Sequence, residues 1–440
     1  MIGLAILKKA LAFSAAVAVS LSFGSGFDKA QAQEKVKIGF VFFLSGAGAA
    51  FGTHARDGAK LMVDAINQGA VPAPYNSKGL AGLQVEAVFV DEAGGPQKQI
   101  AEYRRLVESE KVDIVIGYNS SADCNAIAPV AEELGKITNF FYCGHSQLFE
   151  EVVPNAKYSF RTTAHGTMDQ IGAVRYLLAK FPNLKTISGI NQDYSWGHET
   201  WTEFKDVVRV LKPDVKVVTE KFPKLGAGEY GAEISSLLST PADLIYTTFW
   251  GGDADAFVLQ AKSRGLETRS QLAMSMGTGV IDGLGKNTPP GIVVGARGPY
   301  SYFAGDTPLA KWFTEAYRKA YGRTPPFGAY GAAQAVVAMK AAYDKAANGK
   351  AGMPKTDDII AALKGMDFES PSGFRVKMSL ANGHQAVQPT AYGTYAGWDA
   401  QKNLPIIKDV KYYKAECVNP PVGVTSPDWI KSGLKGAQCD

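Results

Sequence analysis

Lys35–Val36–Lys37–Ile38–Gly39–Phe40–Val41–Phe42–Phe43–Leu44 runs into Ser45–Gly46–Ala47–Gly48–Ala49–Ala50–Phe51–Gly52, and then into the stretch from Arg56 to Asn67. The first segment is apolar and rich in strand formers, the second is a loop of small residues, and the third has apolar residues at helical spacing. A strand, a loop and a helix in that order form the repeating unit of parallel sheets covered by helices. The loop's N–H groups sit at a helix N-terminus, where an anionic group is stabilised.

Upstream, Lys8 and Lys9 precede an apolar run from Ala10 to Phe23 and the small-residue site Ala30–Gln31–Ala32. These are the three parts of a secretory signal peptide, so residues 1–32 are expected to be cut off after Ala32 and the chain to reach the periplasm. The apolar run, about fourteen residues, is short for a membrane span. Roughly 400 residues remain, which is long for one core and favours two lobes. The net charge of the full chain is +4, and losing the leader's lysines brings it nearer neutral. No basic stretch is interleaved with aromatics, which argues against nucleic acid as a partner.

Four cysteines, Cys124, Cys143, Cys417 and Cys439, include no C-x-x-C pair. An even count in an exported protein points to disulfides. Three pairings are possible. Cys124–Cys143 with Cys417–Cys439 is preferred, because each bond closes a loop of roughly 20 residues, worth about 3 kcal/mol. His54, His145, His165, His198 and His384 show no metal-ligand spacing, and neither a metal nor a cofactor is expected.

Strand candidates at 35–44, 83–91, 112–118 and 137–142 alternate with helical stretches at 56–67, 97–109 and 122–134. The alternation restarts after Arg161–Thr162–Thr163, with strands near 185–191, 215–221, 243–249 and 271–276. Gly291 to Ala296 is a further apolar strand, followed by helices at 308–321 and 330–347. From Phe374 onward the pattern turns antiparallel. Two doubly wound parallel-sheet lobes of an α/β protein follow, and ligands are expected in a cleft faced by the carboxyl ends of the strands.

The loops after those strands carry the chemistry. Ser120 and Ser121 precede a helix, and Ser120 with Asp123 has capping-box spacing. The same hydroxyl and N–H groups also suit a carboxylate. Cys143–Gly144–His145 follows the next strand, and a bond from Cys143 to Cys124 would staple it to the serine loop. His145 is equally readable as a ligand contact or an exposed loop residue. In the second block, Tyr194–Ser195–Trp196 and Trp250–Gly251–Gly252–Asp253 each place a large aromatic on a strand-end turn, as walls of a pocket would. Asp253 is read first as a helix cap and second as a ligand contact.

Catalytic motifs fail. Gly46-x-Gly48-x-x-x-Gly52 is a stretched version of a dinucleotide loop, and Asp91 lies about 45 residues on, against roughly 20 expected. Gly144 to Leu148 ends in leucine and is no nucleophile elbow. A binding protein is expected, not an enzyme.

Leu44–Ser45–Gly46, Phe51–Gly52, Arg56–Asp57–Gly58, Asp113 to Gly117 with its serines, Phe160 to Thr163, Tyr194 to Gly197 and Trp250 to Asp253 together resemble the type I periplasmic binding proteins. More narrowly, they resemble the leucine/isoleucine/valine-binding family of ABC importers, in order from about residue 35 to 410. The resemblance implies two lobes joined by three crossover segments, with 33–161 and 292–370 in the first, 162–291 and 371–416 in the second, and 417–440 as a tail. It implies closure of a monomer on a small carboxylate-bearing solute and delivery to the importer's membrane permease. A sensor for a membrane receptor and a secreted hydrolase are the alternatives. By position, Ser121 would hold the carboxylate through its hydroxyl and Cys143 through its backbone, with His145 also on the carboxylate. Phe51, Trp196 and Trp250 would line the cleft, with Ser45, Gly144, Tyr194 and Gly251 beside them. Thr278 stands where amino-acid-binding members tend to have an acid for the ligand ammonium. Either Asp253 replaces that acid, or the ligand has no ammonium and is an aromatic or aliphatic acid or an amide.

Overall fold

The structure, a computed structural model, describes residues 35–439, so the expected leader lies outside the described residues. β1 (Lys35–Phe42) is buried from Ile38 onward and pairs in parallel with β2 (Gln84–Asp91) on one side and β3 (Ile114–Gly117) on the other. β4 (Thr138–Phe140) and β5 (Ser159–Phe160) complete a parallel sheet in the order β2-β1-β3-β4-β5. Parallel neighbours require crossovers, supplied by α1 (Ala49–Gln68), α2 (Gly95–Arg104) and α3 (Ser121–Glu133). Helices on both faces explain why β1 and β3 read as continuous apolar runs.

After α4 (Gly166–Lys180) the pattern repeats with β6 (Thr186–Ile190), α5 (Ser195–Leu211), β7 (Lys216–Lys221), α6 (Gly231–Ser239), β8 (Leu244–Thr247), α7 (Gly251–Ser263), β9 (Gln271–Met274), α8 (Gly277–Leu284) and β10 (Val293–Gly295). Next come α9 (Pro308–Tyr321), α10 (Phe327–Ala347), which packs on α1, and α11 (Thr356–Leu363). β11 (Asp367–Glu369), β12 (Arg375–Leu380) and β13 (Gln385–Val387) form a small antiparallel sheet. β14 (Thr390–Asp399) and β15 (Leu404–Tyr413) extend the second sheet antiparallel, in the order β15-β14-β10-β9-β8-β6-β7.

Two expected boundaries shift. Residue 292 was to open the return to the first lobe, but β10 is hydrogen-bonded between β9 and β14 inside the second sheet. A three-residue apolar strand buried on both faces has no pattern that tells which sheet it joins. Likewise the second sheet resumes at Thr390, not at 371, because β12 and β13 belong to the small sheet.

The chain crosses between the layered sheets after β5, after β10 and after β13. One side chain ties the three passages together. Gln334 on α10 donates to Thr162 O at 2.5 Å and to Gln388 Oε1 at 2.9 Å, and accepts from the Tyr300 hydroxyl at 2.9 Å. Both preferred disulfides are present, Cys124–Cys143 and Cys417–Cys439. The second closes a tail with α12 (Ala415–Val418) and α13 (Ser426–Lys431). Ser426 in that tail donates its N–H and hydroxyl to Glu150 Oε1, at 2.9 and 2.8 Å. Among the described residues no helix is long and apolar enough to cross a membrane.

Candidate functional site

The strand order of each sheet reverses at the same place, between β1 and β3 and between β6 and β8. In doubly wound sheets the crevice at such a reversal is where ligands bind.

In the first sheet, the amides expected to await an outside anion already hold internal carboxylates. Asp91 accepts from Leu44 N at 2.8 Å, the Ser45 hydroxyl at 2.5 Å and Ala93 N at 3.0 Å. Burial alone would raise Asp91, but these hydrogen bonds outweigh it and hold the carboxyl below its usual range. Glu92, fully buried, accepts from Asn119 N at 2.8 Å and Ser120 N at 2.7 Å. Burial and the neighbouring Asp123 push Glu92 well above the ordinary range despite those amides.

Ser120 is the N-cap of α3, its hydroxyl accepting from Asp123 N at 3.3 Å. Ser121 is buried and its hydroxyl has no partner, an arrangement that costs about 1–3 kcal/mol unless a ligand or water fills it. The backbone of Cys143 is committed: its N–H donates to Tyr118 O at 3.2 Å and its carbonyl accepts from Arg161 Nη1 at 2.8 Å. The same guanidinium nitrogen reaches His145 O at 2.8 Å. His145 is not exposed. Burial and the positive charges of Arg161 and Arg297 push its ring well below the usual histidine range, so it is neutral. Its Nε2 bonds Asn125 Oδ1, which leaves Nδ1 as an unpartnered acceptor, suited to an N–H or O–H rather than to a carboxylate.

In the second sheet, Tyr194 and Trp250 occupy matching N-cap positions of α5 and α7. They are joined directly: Trp250 Nε1 donates to the Tyr194 hydroxyl at 2.8 Å. Trp196 is buried, its Nε1 donating to Thr248 O at 3.2 Å. Asp253 neither caps its helix nor stands open. It accepts from Gln192 Nε2 at 2.8 Å and Gly226 N at 2.7 Å, tying α7 to two loops of its own lobe. Thr278 is buried with its hydroxyl unpartnered.

The two sets of loops touch. Gly252 N donates to Ala47 O at 3.1 Å, and Ser146 N and Oγ donate to Glu199 Oε1 of α5 at 2.5 and 2.8 Å. Between them lies a cavity of about 200 Å³ whose lining includes Phe51, Trp250, Gly251 and Phe327. On its wall Phe51 joins an aromatic cluster, with ring centroids 6.2 Å from Trp250, 5.2 Å from Phe327 and 5.1 Å from Tyr142, which lies behind the lining. Ser121, His145, Trp196, Tyr194, Asp253 and Thr278 do not line it. Larger depressions, of about 460 and 470 Å³, run along α9 and β15, and the first shares Asp282 and Arg323 with the cavity.

Arg297, which the sequence pattern did not single out, sits in the passage after β10. It is buried and left-handed, at φ 52°. Its guanidinium pairs with Asp169 at 3.0 Å, donates to Tyr142 O at 2.6 Å and Ala164 O at 3.1 Å, and lies 4.7 Å from the Trp196 ring. Burial pushes Asp169 up to about 7 even with that partner. Nothing local in the sequence marks Arg297, since its partners, the Asp169 carboxylate and the Tyr142 and Ala164 carbonyls, lie far away along the chain.

The chain matches the family described as periplasmic binding protein over residues 35–399. It is 24% identical over 347 residues to the leucine-, isoleucine-, valine-, threonine- and alanine-binding protein of Pseudomonas aeruginosa, covering 78% of this chain and 85% of that one. It is 25% identical over 388 residues to a Leu/Ile/Val-binding protein homologue of Brucella suis, covering 84% and 90%. Among solved structures it resembles an ABC-transporter solute binding protein of Rhodopseudomonas palustris in complex with benzoate, with TM-score 0.73, 22% identity and coverage of 86% and 96%. It also resembles a branched-chain amino acid transporter substrate binding protein of Streptococcus pneumoniae in complex with isoleucine, with TM-score 0.70, 20% identity and coverage of 87% and 100%. These likenesses agree with the two facing sheets and the cleft between them, and the chain belongs to the periplasmic binding protein family.

Proposed function

We propose that this protein captures a small carboxylate-bearing solute in the periplasm by hinge closure and delivers it to the permease of an ABC importer. The observation that carries this reading is the cavity between the two sheets, walled by Phe51 from one and Trp250 from the other. Its volume is below the ~300–1,000 Å³ of drug-sized pockets, which suits a molecule of amino-acid or benzoate size. The unpartnered Ser121 hydroxyl at the first turn of α3 supports a carboxylate contact there, because first-turn amides have no acceptor within the helix. The ligands of the relatives, branched-chain amino acids in one group and benzoate in another, span the same size range. Closure requires a ligand that binds the closed form better than the open one.

Native mass spectrometry of freshly purified protein is expected to show a co-purified small molecule. Ser121→Ala is expected to keep the fold and weaken binding of that molecule by about 1–3 kcal/mol. An unchanged affinity in calorimetry removes Ser121 from the site.

A further inference from the structure

The cavity is polar at one end in a way that the carboxylate reading does not use. Asp255 on α7 and Asp282 on α8 both line it. Asp255 has no hydrogen-bond or ion-pair partner among the described residues, and burial alone pushes its carboxyl up to about 7. Asp282 has a side chain only 5% exposed. Its Oδ1 accepts from the Tyr302 hydroxyl at 2.8 Å, and its Oδ2 has no partner.

The charges around this end do not balance. Arg323 is the one guanidinium in the lining, with Nη2 4.0 Å from Asp282 Oδ1 and 3.0 Å from Asp282 O. Its Nη1 lies 3.1 Å from His54 Nε2, and burial together with Arg323 pushes His54 down to about 4, so it is neutral. Burial pushes Asp282 up to about 7 as well, so above that pH two carboxylates face one cation, with Phe51, Trp250 and Phe327 among the remaining walls. A buried carboxylate oxygen without a partner, as Asp282 Oδ2 is, is costly, and the half-buried Asp255 beside it adds like charge. A metal ion is a poor fit, because calcium or magnesium takes six or more oxygen ligands, and no group of three or more metal-ligating side chains occurs among the described residues.

We propose that this end of the cavity receives a singly charged cationic nitrogen of the solute, held by Asp255 and Asp282 and enclosed by Phe51, Trp250 and Phe327. The inference rests on the solute-capture reading and narrows its substrate class. Ser121 does not line the cavity, so the cation site stands on Asp255 and Asp282 independently of the carboxylate contact. An ammonium supplies the N–H donors that both carboxylates lack, and aromatic walls suit an organic cation. Gly283 keeps the arrangement open, since a β-carbon there would overlap the Asp255 carboxylate.

The test uses three probes of one shape, 3-phenylpropylammonium, 3-phenylpropan-1-ol and 3-phenylpropanoate, titrated calorimetrically into the purified protein at pH 8. The ammonium is expected to bind at least about tenfold tighter than the alcohol. Asp255→Asn is expected to erase that preference while leaving the alcohol's affinity and the melting temperature undiminished. Gly283→Ala, which displaces Asp255 without removing it, is expected to reduce the same preference. Equal binding of ammonium and alcohol, or a preference that survives Asp255→Asn, overturns the proposal. If 3-phenylpropanoate binds, is weakened by Ser121→Ala, and the ammonium does not bind, the cation site falls and solute capture stands. If no probe binds and no solute co-purifies, both fall.

Discussion

Gly144 has no space for a side chain because Trp196 stands against it: a β-carbon at Gly144 would overlap the Trp196 ring and lie 2.5 Å from Arg297 Nη2. Gly144 follows the fourth strand of the first sheet, while Trp196 sits in the first turn of α5 in the second. The contact therefore joins the two lobes, and it is made where Arg297 crosses between them.

Gly144→Ala is expected to disfavour the closed form specifically. Overpacking costs about 1–3 kcal/mol, and here that cost falls on closure, so solute affinity should drop roughly tenfold or more. The melting temperature without solute should change little. Small-angle scattering with and without solute, beside calorimetry, checks this. A normal compaction with normal affinity would show that Gly144 and Trp196 do not meet in the working protein.

Arg297→Lys is expected to fail as a replacement. Lysine keeps the charge for Asp169 but cannot also reach Tyr142 O and Ala164 O in the fork geometry of a guanidinium. Arg297→Leu leaves Asp169 buried without its partner, which costs about 3–5 kcal/mol. Denaturant melts of the two variants measure the difference, and a leucine variant as stable as the parent counts against the ion pair's role.

Asp255 predicts a pH dependence. Burial pushes it up to about 7 from its ordinary 3.8, so between those values the folded state binds more protons than the unfolded one. Stability from this group is therefore highest below about 4 and falls as the pH rises to about 7. His54, His145 and His165, all pushed down by burial, act oppositely and lower stability as the pH falls below 6.5. Subtracting the melting profile of Asp255→Asn from that of the parent isolates the aspartate. The difference should grow from pH 5 to pH 8 in the variant's favour; a flat difference refutes the assignment.

The Cys124–Cys143 bond closes a separation of 19 residues, worth about 3 kcal/mol in the chain-entropy model. Replacing both cysteines by serine should lower stability by about that much. Solute affinity should fall as well, because the bond holds the Ser121 turn to the Gly144 loop. Stability loss with unchanged affinity would assign the bond to folding alone.

Much of the scaffold was legible because buried parallel strands leave apolar runs that end at small-residue or Ser/Asn turns, as Ile114–Gly117 does before Ser120. Aromatics on paired turns, Tyr194 and Trp250, were legible for the same reason, and the two turned out to share a hydrogen bond. What lay beyond reach was every partner set by tertiary approach. Glu92 follows a strand end like many acids, and nothing local says that it will take the amides of Asn119 and Ser120. Asp253 and Asp255 look alike in sequence, two residues apart in one helix. The 100° turn per residue sends the first to Gln192 and Gly226 and the second into the cavity.

Asp91 and Glu92 also decide what the cleft ignores. A helix-terminal loop with open amides would attract any inorganic anion in the surrounding fluid, and sulfate or phosphate would compete with the solute. With both seats taken by the chain's own carboxyl groups, a second anion finds these N–H donors already used and meets the ionised Asp91. These two loop ends are thereby closed to common oxyanions, and discrimination among anions is left to the first turn of α3.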